Sequence, residues 1–230
     1  PPPRRGNLVI ASNRLPVSLN LDGDEFSFKV SSGGLAAALQ GVAEDDPFVW
    51  VGWPGCPVPQ QMERSVSEAM AHDDLVPVFV SDREEELYYH GISNQVLWPL
   101  FHYFTTMVDF QEEAWEAYRA VNERFAEQIL RIAEPGARVW IHDFHLMLVP
   151  GLLRQARPDL EIGFFLHIPF PSSEVYRLFP ARNELLRGVL GSDYIGFHTH
   201  DYARHFRSTC LRTLGLESDH ESIPFDGRRV

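Results

Sequence analysis

The chain has 230 residues, of which 44% are hydrophobic, 23% charged and 12% aromatic, and its net charge is −12. This is an ordinary globular composition, and a protein of this length can bury a core without disulfides or metals. The acidic balance argues against nucleic-acid and anionic-membrane partners. Cys56 and Cys210 indicate no disulfide framework, and no apolar segment approaches the roughly 20 residues of a membrane span. We therefore expect a reduced, cytoplasmic protein.

In chain order, short apolar segments alternate with segments of helical periodicity. The apolar segments predict strands at 8–11, 26–30, 48–51, 76–80, 139–141, 162–166 and 194–197. Helical patterns occupy 33–42, 111–133, 146–155, 181–190 and 201–214. The alternation of strands and helices in the second half predicts a parallel sheet with right-handed crossovers. The predicted fold is therefore α/β and Rossmann-like, with helices on both faces of a mostly parallel sheet.

Several local features refine this fold prediction. Pro77 lacks the N–H that a central strand needs, so the strand at 76–80 is expected at an edge of the sheet. Pro135-Gly136 is expected to stop the long helix at 111–133. Residues 1–6 are predicted to be a flexible tail and residues 7–230 a single domain. Because residues 227–230 resemble the beginning of another strand, we expect the chain to be a fragment of a longer protein.

The segment 161–180 contains the most informative residue of the chain, His167. An apolar segment of the kind buried in parallel sheets ends at this histidine, and Pro169 and Pro171 then stop the strand. The imidazole is thereby predicted at the carboxyl end of a strand, where open α/β sheets bind their ligands. Taken alone, His167 fits a core or edge residue without a function better than a functional residue, because fold position by itself does not establish function.

Two segments near the amino terminus have residues that suit a phosphate group. Gly33 and Gly34 precede a predicted helix, whose amino end offers unpaired N–H groups, although the same glycines also suit a simple turn. Arg14 follows the first predicted strand, where its guanidinium is placed to bind a phosphate with two hydrogen bonds. The alternative for Arg14 is a surface salt bridge.

Two further segments carry groups that suit a sugar. Asp143 lies among His142, Phe144 and His145 after a predicted strand, and its carboxylate is suited to accept hydrogen bonds from sugar hydroxyls. A metal site is the alternative for these histidines, but the spacing gives it little support. The segment 88–99 is predicted as a loop whose aromatic and amide groups either stack on sugar rings or pack inside the protein.

Six segments in order resemble the trehalose-6-phosphate synthase family, which is glycosyltransferase family 20 and has the GT-B fold. They are Ser12-Asn13-Arg14, Ser32-Gly33-Gly34-Leu35, Trp50-Val51-Gly52-Trp53-Pro54-Gly55, Ser93-Asn94-Gln95-Val96-Leu97-Trp98-Pro99, His142-Asp143-Phe144-His145-Leu146 and Gly163-Phe164-Phe165-Leu166-His167-Ile168-Pro169-Phe170-Pro171. The resemblance extends from about residue 7 to the end of the chain. It implies the amino-terminal domain of a retaining transferase that moves glucose from a nucleotide sugar, typically UDP-glucose, to glucose 6-phosphate in trehalose biosynthesis.

The resemblance also assigns roles to residues on the acceptor side of that reaction. Arg14, Tyr89 and Trp98 are implied to hold the phosphate of glucose 6-phosphate. Asp143 is implied to bind the hydroxyl groups of its glucose and to belong to the catalytic site.

On the donor side, the resemblance implies that Gly33 and Gly34 approach the diphosphate and that His167 contacts the donor glucose as a catalytic residue. Neither a cofactor nor a metal is implied, since a leaving diphosphate that takes the acceptor proton needs only orientation and charge stabilisation. The family's second domain, which grips the nucleotide, has no counterpart in the sequence, so the isolated chain is expected to be inactive. The alternative is a non-catalytic regulatory or sugar-phosphate-binding member of the family. The nucleotide base and a homo-oligomeric state stay open.

Overall fold

The structure, a computed structural model, describes residues 6–23, 25–30, 47–219 and 221–230. Six parallel strands form one sheet in the order β5-β4-β1-β6-β7-β8. These strands are β1 (Gly6–Arg14), β4 (Val49–Trp53), β5 (Leu75–Pro77), β6 (Ala133–His142), β7 (Glu161–Leu166) and β8 (Tyr194–Phe197). Two hairpins, β2 (Val17–Asp22) with β3 (Glu25–Val30) and β9 (Pro224–Phe225) with β10 (Arg228–Arg229), lie apart from it. The predicted parallel sheet is therefore confirmed.

The helices of the described chain follow the strands in alternation. They are α1 (Gln60–Met70), α2 (Asp82–Glu84), a π-helical segment (Glu85–Leu97), α3 (Trp98–Phe101), α4 (Glu112–Ile132), α5 (Val149–Ala156), α6 (Ser173–Tyr176), α7 (Arg182–Val189) and α8 (His200–Leu214). Short 3-10 turns occupy Ala71–Asp73, Thr105–Met107 and Phe144–Leu146. The helix predicted at 33–42 lies outside the described residues. None of the helices described is long and apolar enough to cross a membrane.

Apolar side chains on both faces of the sheet explain why helices cover it on two sides. Along the central strand β1, Val9 and Ala11 point into a large core that includes Phe125 of α4, whereas Ile10 points into a second core with Val66 of α1. All of these side chains are fully buried. This is the burial expected of a parallel strand that is covered on both faces. The proline-bearing strand β5 lies at one edge of the sheet, as predicted.

The connection from α4 to β6 differs from its prediction. The helix ends at Ile132, before Pro135-Gly136, and β6 begins at once with Ala133. The proline and glycine lie inside the strand, where the partners of Gly6 and Leu8 on β1 are Ala133 and Arg138. In this stretch β6 therefore has three more residues than β1, and the strand pairing is irregular. Gly136 lies in the irregular part, with a positive φ (+70°) that suits glycine.

The predicted loop at 88–99 is wrong, because this segment is helical. Ser81 begins the helix with a capping box to Glu84, and wide π turns follow over Glu85–Leu97. Tyr88, Ile92 and Val96 recur at intervals of four and are fully buried against the core. Gly91 faces α4 in this segment, since a Cβ there would lie 3.4 Å from Cβ of Ala114.

The chain ends also show how local pairing completes the fold. Within residues 227–230, predicted to begin another strand, Arg228 and Arg229 form β10 of a short antiparallel hairpin with β9. The hairpin predicted around Asp22-Gly23-Asp24 is confirmed by pairing of β2 with β3 from Val17↔Val30 to Asp22↔Glu25. The first strand is longer than predicted and includes Arg14, which the sequence suggested would follow it.

Candidate active site

The carboxyl ends of four adjacent strands bring the predicted site residues to one edge of the sheet. Strand β1 ends at Arg14, and β6 ends at His142 with Asp143 next along the chain. His167 directly follows β7, and His198 directly follows β8. Because β1, β6, β7 and β8 are parallel neighbours, these side chains lie along one edge. The predicted position of His167 at a strand's carboxyl end is confirmed.

Of the three residues Ser12, Asn13 and Arg14, the first two make hydrogen bonds that hold the strand in place. Ser12 is buried and accepts a hydrogen bond from Nε1 of Trp50 at 2.8 Å. Asn13 is also buried, and its Oδ1 accepts from the hydroxyl of Tyr88 at 2.8 Å. Both side chains tie β1 to its surroundings, which leaves Arg14 as the exposed member of the segment.

Arg14 is held in place by a carbonyl oxygen and two aromatic faces. Its Nη1 donates to the carbonyl oxygen of Gly55 at 2.9 Å. Its Cζ lies 4.1 Å from the ring centre of Trp53 and 5.4 Å from that of Tyr89, both within the range of cation–π attraction. The guanidinium is therefore oriented before any ligand arrives, which lowers the entropy cost of binding an anion.

Tyr89 in turn stacks on His145, a residue that sequence reasoning considered only as a metal ligand. The two rings lie 5.8 Å apart and are nearly parallel, with an interplanar angle of 15°. Burial, together with the nearby charge of Arg14, lowers the pKa of His145 to about 3, so its ring is neutral. The guanidinium of Arg14 thus lies over a cluster of aromatic rings, formed by Trp53, Tyr89 and His145.

Asp143 lies where β6 passes into a 3-10 turn, in a backbone conformation that is rare for residues other than glycine. Its φ is +76°, its N–H donates to the carbonyl oxygen of Phe165 at 2.8 Å, and its Oδ1 accepts from the backbone N–H of His167 at 3.1 Å. Burial raises the pKa of its carboxyl to about 6, against the lowering effect of backbone N–H groups. Residues in such strained conformations cluster at functional sites.

Trp98 begins α3 and presents an aromatic surface that is 39% exposed. It stacks on His102, with ring centres 4.1 Å apart, and on Phe104 at 6.1 Å. His102 lies close enough to Asp143 to act on the pKa of its carboxyl. This places the Trp98 cluster on the same side of the molecule as Asp143.

Three histidines, rather than one, line the carboxyl ends of β6, β7 and β8. Nδ1 of His142 lies 3.0 Å from Nε2 of His167, and the rings of His167 and His198 are 5.7 Å apart. Burial lowers the pKa of His142 to about 3 and also lowers the pKa of His167. Sequence reasoning did not place His142 and His198 beside His167, although a histidine at each of three successive strand ends was the signal.

Gly33 and Gly34 lie outside the described residues. In the part of the chain that the structure describes, no group of three or more His, Cys, Asp or Glu side chains is arranged to hold a metal ion. A preoriented cation, exposed aromatic faces, a carboxylate and neutral imidazoles together form a surface suited to a phosphorylated, hydroxyl-rich ligand.

Comparisons with known proteins agree on one family. A sequence model described as glycosyltransferase family 20 matches residues 6–230. The UDP-forming alpha,alpha-trehalose-phosphate synthase 1 of Aspergillus niger is 46% identical over 229 residues, which cover 97% of this chain and 44% of that protein. This chain therefore spans less than half the length of that relative.

Two solved structures have the same fold. The N-terminal domain of Candida albicans trehalose-6-phosphate phosphatase superposes with a TM-score of 0.81 and 31% identity, covering 100% of this chain and 48% of that one. A UDP-forming alpha,alpha-trehalose-phosphate synthase from Burkholderia xenovorans, in complex with glucose-6-phosphate, superposes with a TM-score of 0.79 and 27% identity, covering 98% and 48%.

Proposed function

Because the chain belongs to glycosyltransferase family 20, we propose that it forms the acceptor-binding part of an enzyme that transfers glucose from UDP-glucose to glucose 6-phosphate. The product would be trehalose 6-phosphate, formed with retention at the donor carbon. The observation that carries the proposal is the preoriented guanidinium of Arg14 beside Tyr89. The UDP-forming Aspergillus niger relative and the Burkholderia xenovorans complex with glucose-6-phosphate support the choice of donor and acceptor.

In this proposal, Arg14 binds the phosphate of glucose 6-phosphate. A guanidinium presents several N–H donors in one plane, and one of them is already used to fix its orientation on Gly55. Hydrogen bonds between a guanidinium and phosphate are charge-assisted and about twice as strong as neutral ones. Tyr89 and Trp98 are proposed to complete the phosphate end of the acceptor site.

Asp143 is proposed to accept hydrogen bonds from the hydroxyl groups of the acceptor glucose. With a pKa of about 6, its carboxyl is mostly ionised at neutral pH and is therefore an acceptor for two or more hydroxyls. Its neighbour His167 is proposed to contact the donor glucose, while Gly33 and Gly34 would approach the diphosphate. The leaving diphosphate takes the acceptor proton, so these residues orient the substrates and stabilise charge.

A second candidate function is that of a sugar-phosphate-binding protein without transferase activity. The observation that favours it is the match to the N-terminal domain of a protein named as a phosphatase in Candida albicans. The two candidates share an acceptor site, and they differ in turnover. Trehalose 6-phosphate formation by the complete protein that contains this chain favours the enzyme, whereas binding of glucose 6-phosphate without turnover favours the second candidate.

Isothermal titration of the chain with glucose 6-phosphate and with glucose tests the acceptor site. Arg14→Ala is expected to weaken glucose 6-phosphate binding by about 10- to 100-fold, since a charged hydrogen bond contributes about 1.5–3 kcal/mol and 1.4 kcal/mol corresponds to tenfold. Glucose binding is expected to change little. Arg64→Ala is the matched control, because Arg64 lies on α1 and pairs with Glu68 there. Equal loss in both variants, or no preference for the phosphorylated sugar, would count against the proposal.

A further inference from the structure

We propose that His142 is a positioning residue that sets the tautomer of His167. In this arrangement, Nδ1–H of His142 donates to Nε2 of His167, and His167 therefore carries its own proton on Nδ1. His167 then offers an N–H donor to the sugar in the site. The identity of that sugar rests on the function proposed above, whereas the tautomer itself does not.

Two glycines, one on β7 and one on β8, leave room for the aromatic rings beside which these two histidines meet. The ring of Trp140 lies over Gly163 of β7, where a Cβ would be 3.6 Å from its Cδ1. The ring of Phe165 lies over Gly196 of β8 in the same way, where a Cβ would be only 2.5 Å from Cδ2. Side chains two residues apart on a strand share a face, so His142 and His167 follow directly above these rings.

The environment of His142 leaves its ring one hydrogen-bonding partner. The residue is 1% exposed, its ring centre is 4.6 Å from that of Trp140, and Nδ1 is 3.0 Å from Nε2 of His167. Its other nitrogen, Nε2, is buried and has no hydrogen-bond partner among the residues described. A ring in such surroundings is held neutral, in agreement with its low pKa.

Two neutral arrangements are compatible with this contact, and they differ in what is left unpaired. If the proton of His142 were on Nε2, a buried N–H donor would have no partner. If it is on Nδ1, only an acceptor lone pair is unpaired, while the N–H is used in the bond to His167. Buried N–H groups without partners are rarer in proteins than unpaired acceptors. The second arrangement is therefore favoured, and it makes Nε2 of His167 the acceptor.

The consequence for the site is a matched donor and acceptor on adjacent strands. A neutral imidazole has one donor nitrogen and one acceptor nitrogen. With Nε2 accepting from His142, the proton of His167 lies on Nδ1, so this ring can donate to a sugar oxygen. Asp143, whose Oδ1 accepts from the backbone N–H of His167, can only accept when ionised. The opposite tautomer would give the site two acceptors at this point.

The tautomers are measured directly in the chain labelled with 15N-histidine, because protonated and unprotonated ring nitrogens have well-separated 15N shifts. Long-range 1H–15N spectra at pH 7.5 are expected to show His142 and His167 both protonated on Nδ1. His142→Asn keeps an N–H donor close to the Nδ1 position, and His167 is expected to stay protonated on Nδ1. His142→Leu removes the donor, and His167 is expected to shift toward protonation on Nε2.

His198→Asn is the control, since His198 is exposed and its ring packs edge-on against that of His167. It should leave the tautomer of His167 unchanged. A proton on Nε2 of His167 in the unsubstituted chain would overturn the proposal, and so would an unchanged tautomer in a folded His142→Leu chain. If that variant does not fold, the unsubstituted chain and His142→Asn still decide the question. The spectra need no sugar, so a failed titration with glucose 6-phosphate would affect only the proposed function.

Discussion

Asp143 combines two features that disfavour folding, a positive φ and a carboxyl whose pKa is raised to about 6 by burial. In the unfolded chain the same carboxyl has a pKa near 3.8. Between about pH 4 and pH 6 the folded state therefore binds more protons than the unfolded state. The free energy of unfolding contributed by this group falls as the pH rises through that window and stays low above it.

Asp143→Asn is therefore expected to stabilise the chain at neutral pH. The amide carries no buried charge, keeps an oxygen for the N–H of His167, and tolerates a positive φ about as well as aspartate. At pH 7.5 the free energy of unfolding in urea should rise by about 1–3 kcal/mol, since one pKa unit corresponds to about 1.4 kcal/mol. Below about pH 4 the gain should vanish.

The control for this prediction is Asp109→Asn, at an exposed aspartate. Its free energy of unfolding should be nearly unchanged across the same pH range. A less stable Asp143→Asn chain at pH 7.5 would contradict the burial of an ionised carboxyl at this position.

Gly55 lies against Arg14 and has a backbone conformation that favours glycine. Its φ is +97°, and a Cβ there would collide with Nη1 of Arg14. Gly55→Ala is expected to destabilise the chain by about 1–3 kcal/mol, the usual cost of such backbone strain, and to weaken glucose 6-phosphate binding by displacing Arg14. Gly23→Ala shares the strain of a positive φ (+61°) but meets nothing within 4 Å. Calorimetric titration should therefore find the affinity reduced only in Gly55→Ala.

At the scale of elements, the packing of β7 against β8 depends on Gly196, which lies beneath the ring of Phe165. Gly196→Ala would place a Cβ 2.5 Å from the ring of Phe165, whereas Gly163→Ala would meet Trp140 at an ordinary 3.6 Å. Overpacking of this kind costs about 1–3 kcal/mol, so Gly196→Ala should lose that much stability in urea unfolding and Gly163→Ala distinctly less. Equal losses in the two variants would show that ring contact does not determine the cost.

Most of these elements could be predicted because their signals are local. The apolar pattern of α4 at intervals of three and four and the buried segment of β7 both identify their own structure. The π-helical segment Glu85–Leu97 could not be predicted in the same way. Its Gly91 faces Ala114 of α4, so the packing of this segment depends on a partner about 20 positions away. The irregular start of β6 likewise depends on pairing with β1.

At the scale of the whole molecule, the sequence indicates which residues form the site but not how they contact one another. Strand ends placed Asp143 and His167 at one edge, since parallel strands align there. The contacts of Arg14 with Trp53 and Tyr89, and of His142 with His167, join residues 25 to 75 positions apart. Such contacts follow from strand order and ring packing, which no local pattern contains.

The proposed function divides the acceptor and donor sites between this chain and a part of the enzyme that lies outside it. The chain spans 44% of the Aspergillus niger synthase, so in the proposed reaction it contributes the acceptor site and only part of the donor site. We expect the 230 residues alone to bind glucose 6-phosphate but to form no trehalose 6-phosphate from it and UDP-glucose. Catalysis needs both substrates held in reacting geometry, and effective molarities for well-oriented groups reach about 10⁵ M or more. Chromatographic detection of trehalose 6-phosphate, with the Aspergillus niger synthase as the positive control, measures this directly. Turnover by the isolated chain near that of the control would show that these residues hold both substrates without further help.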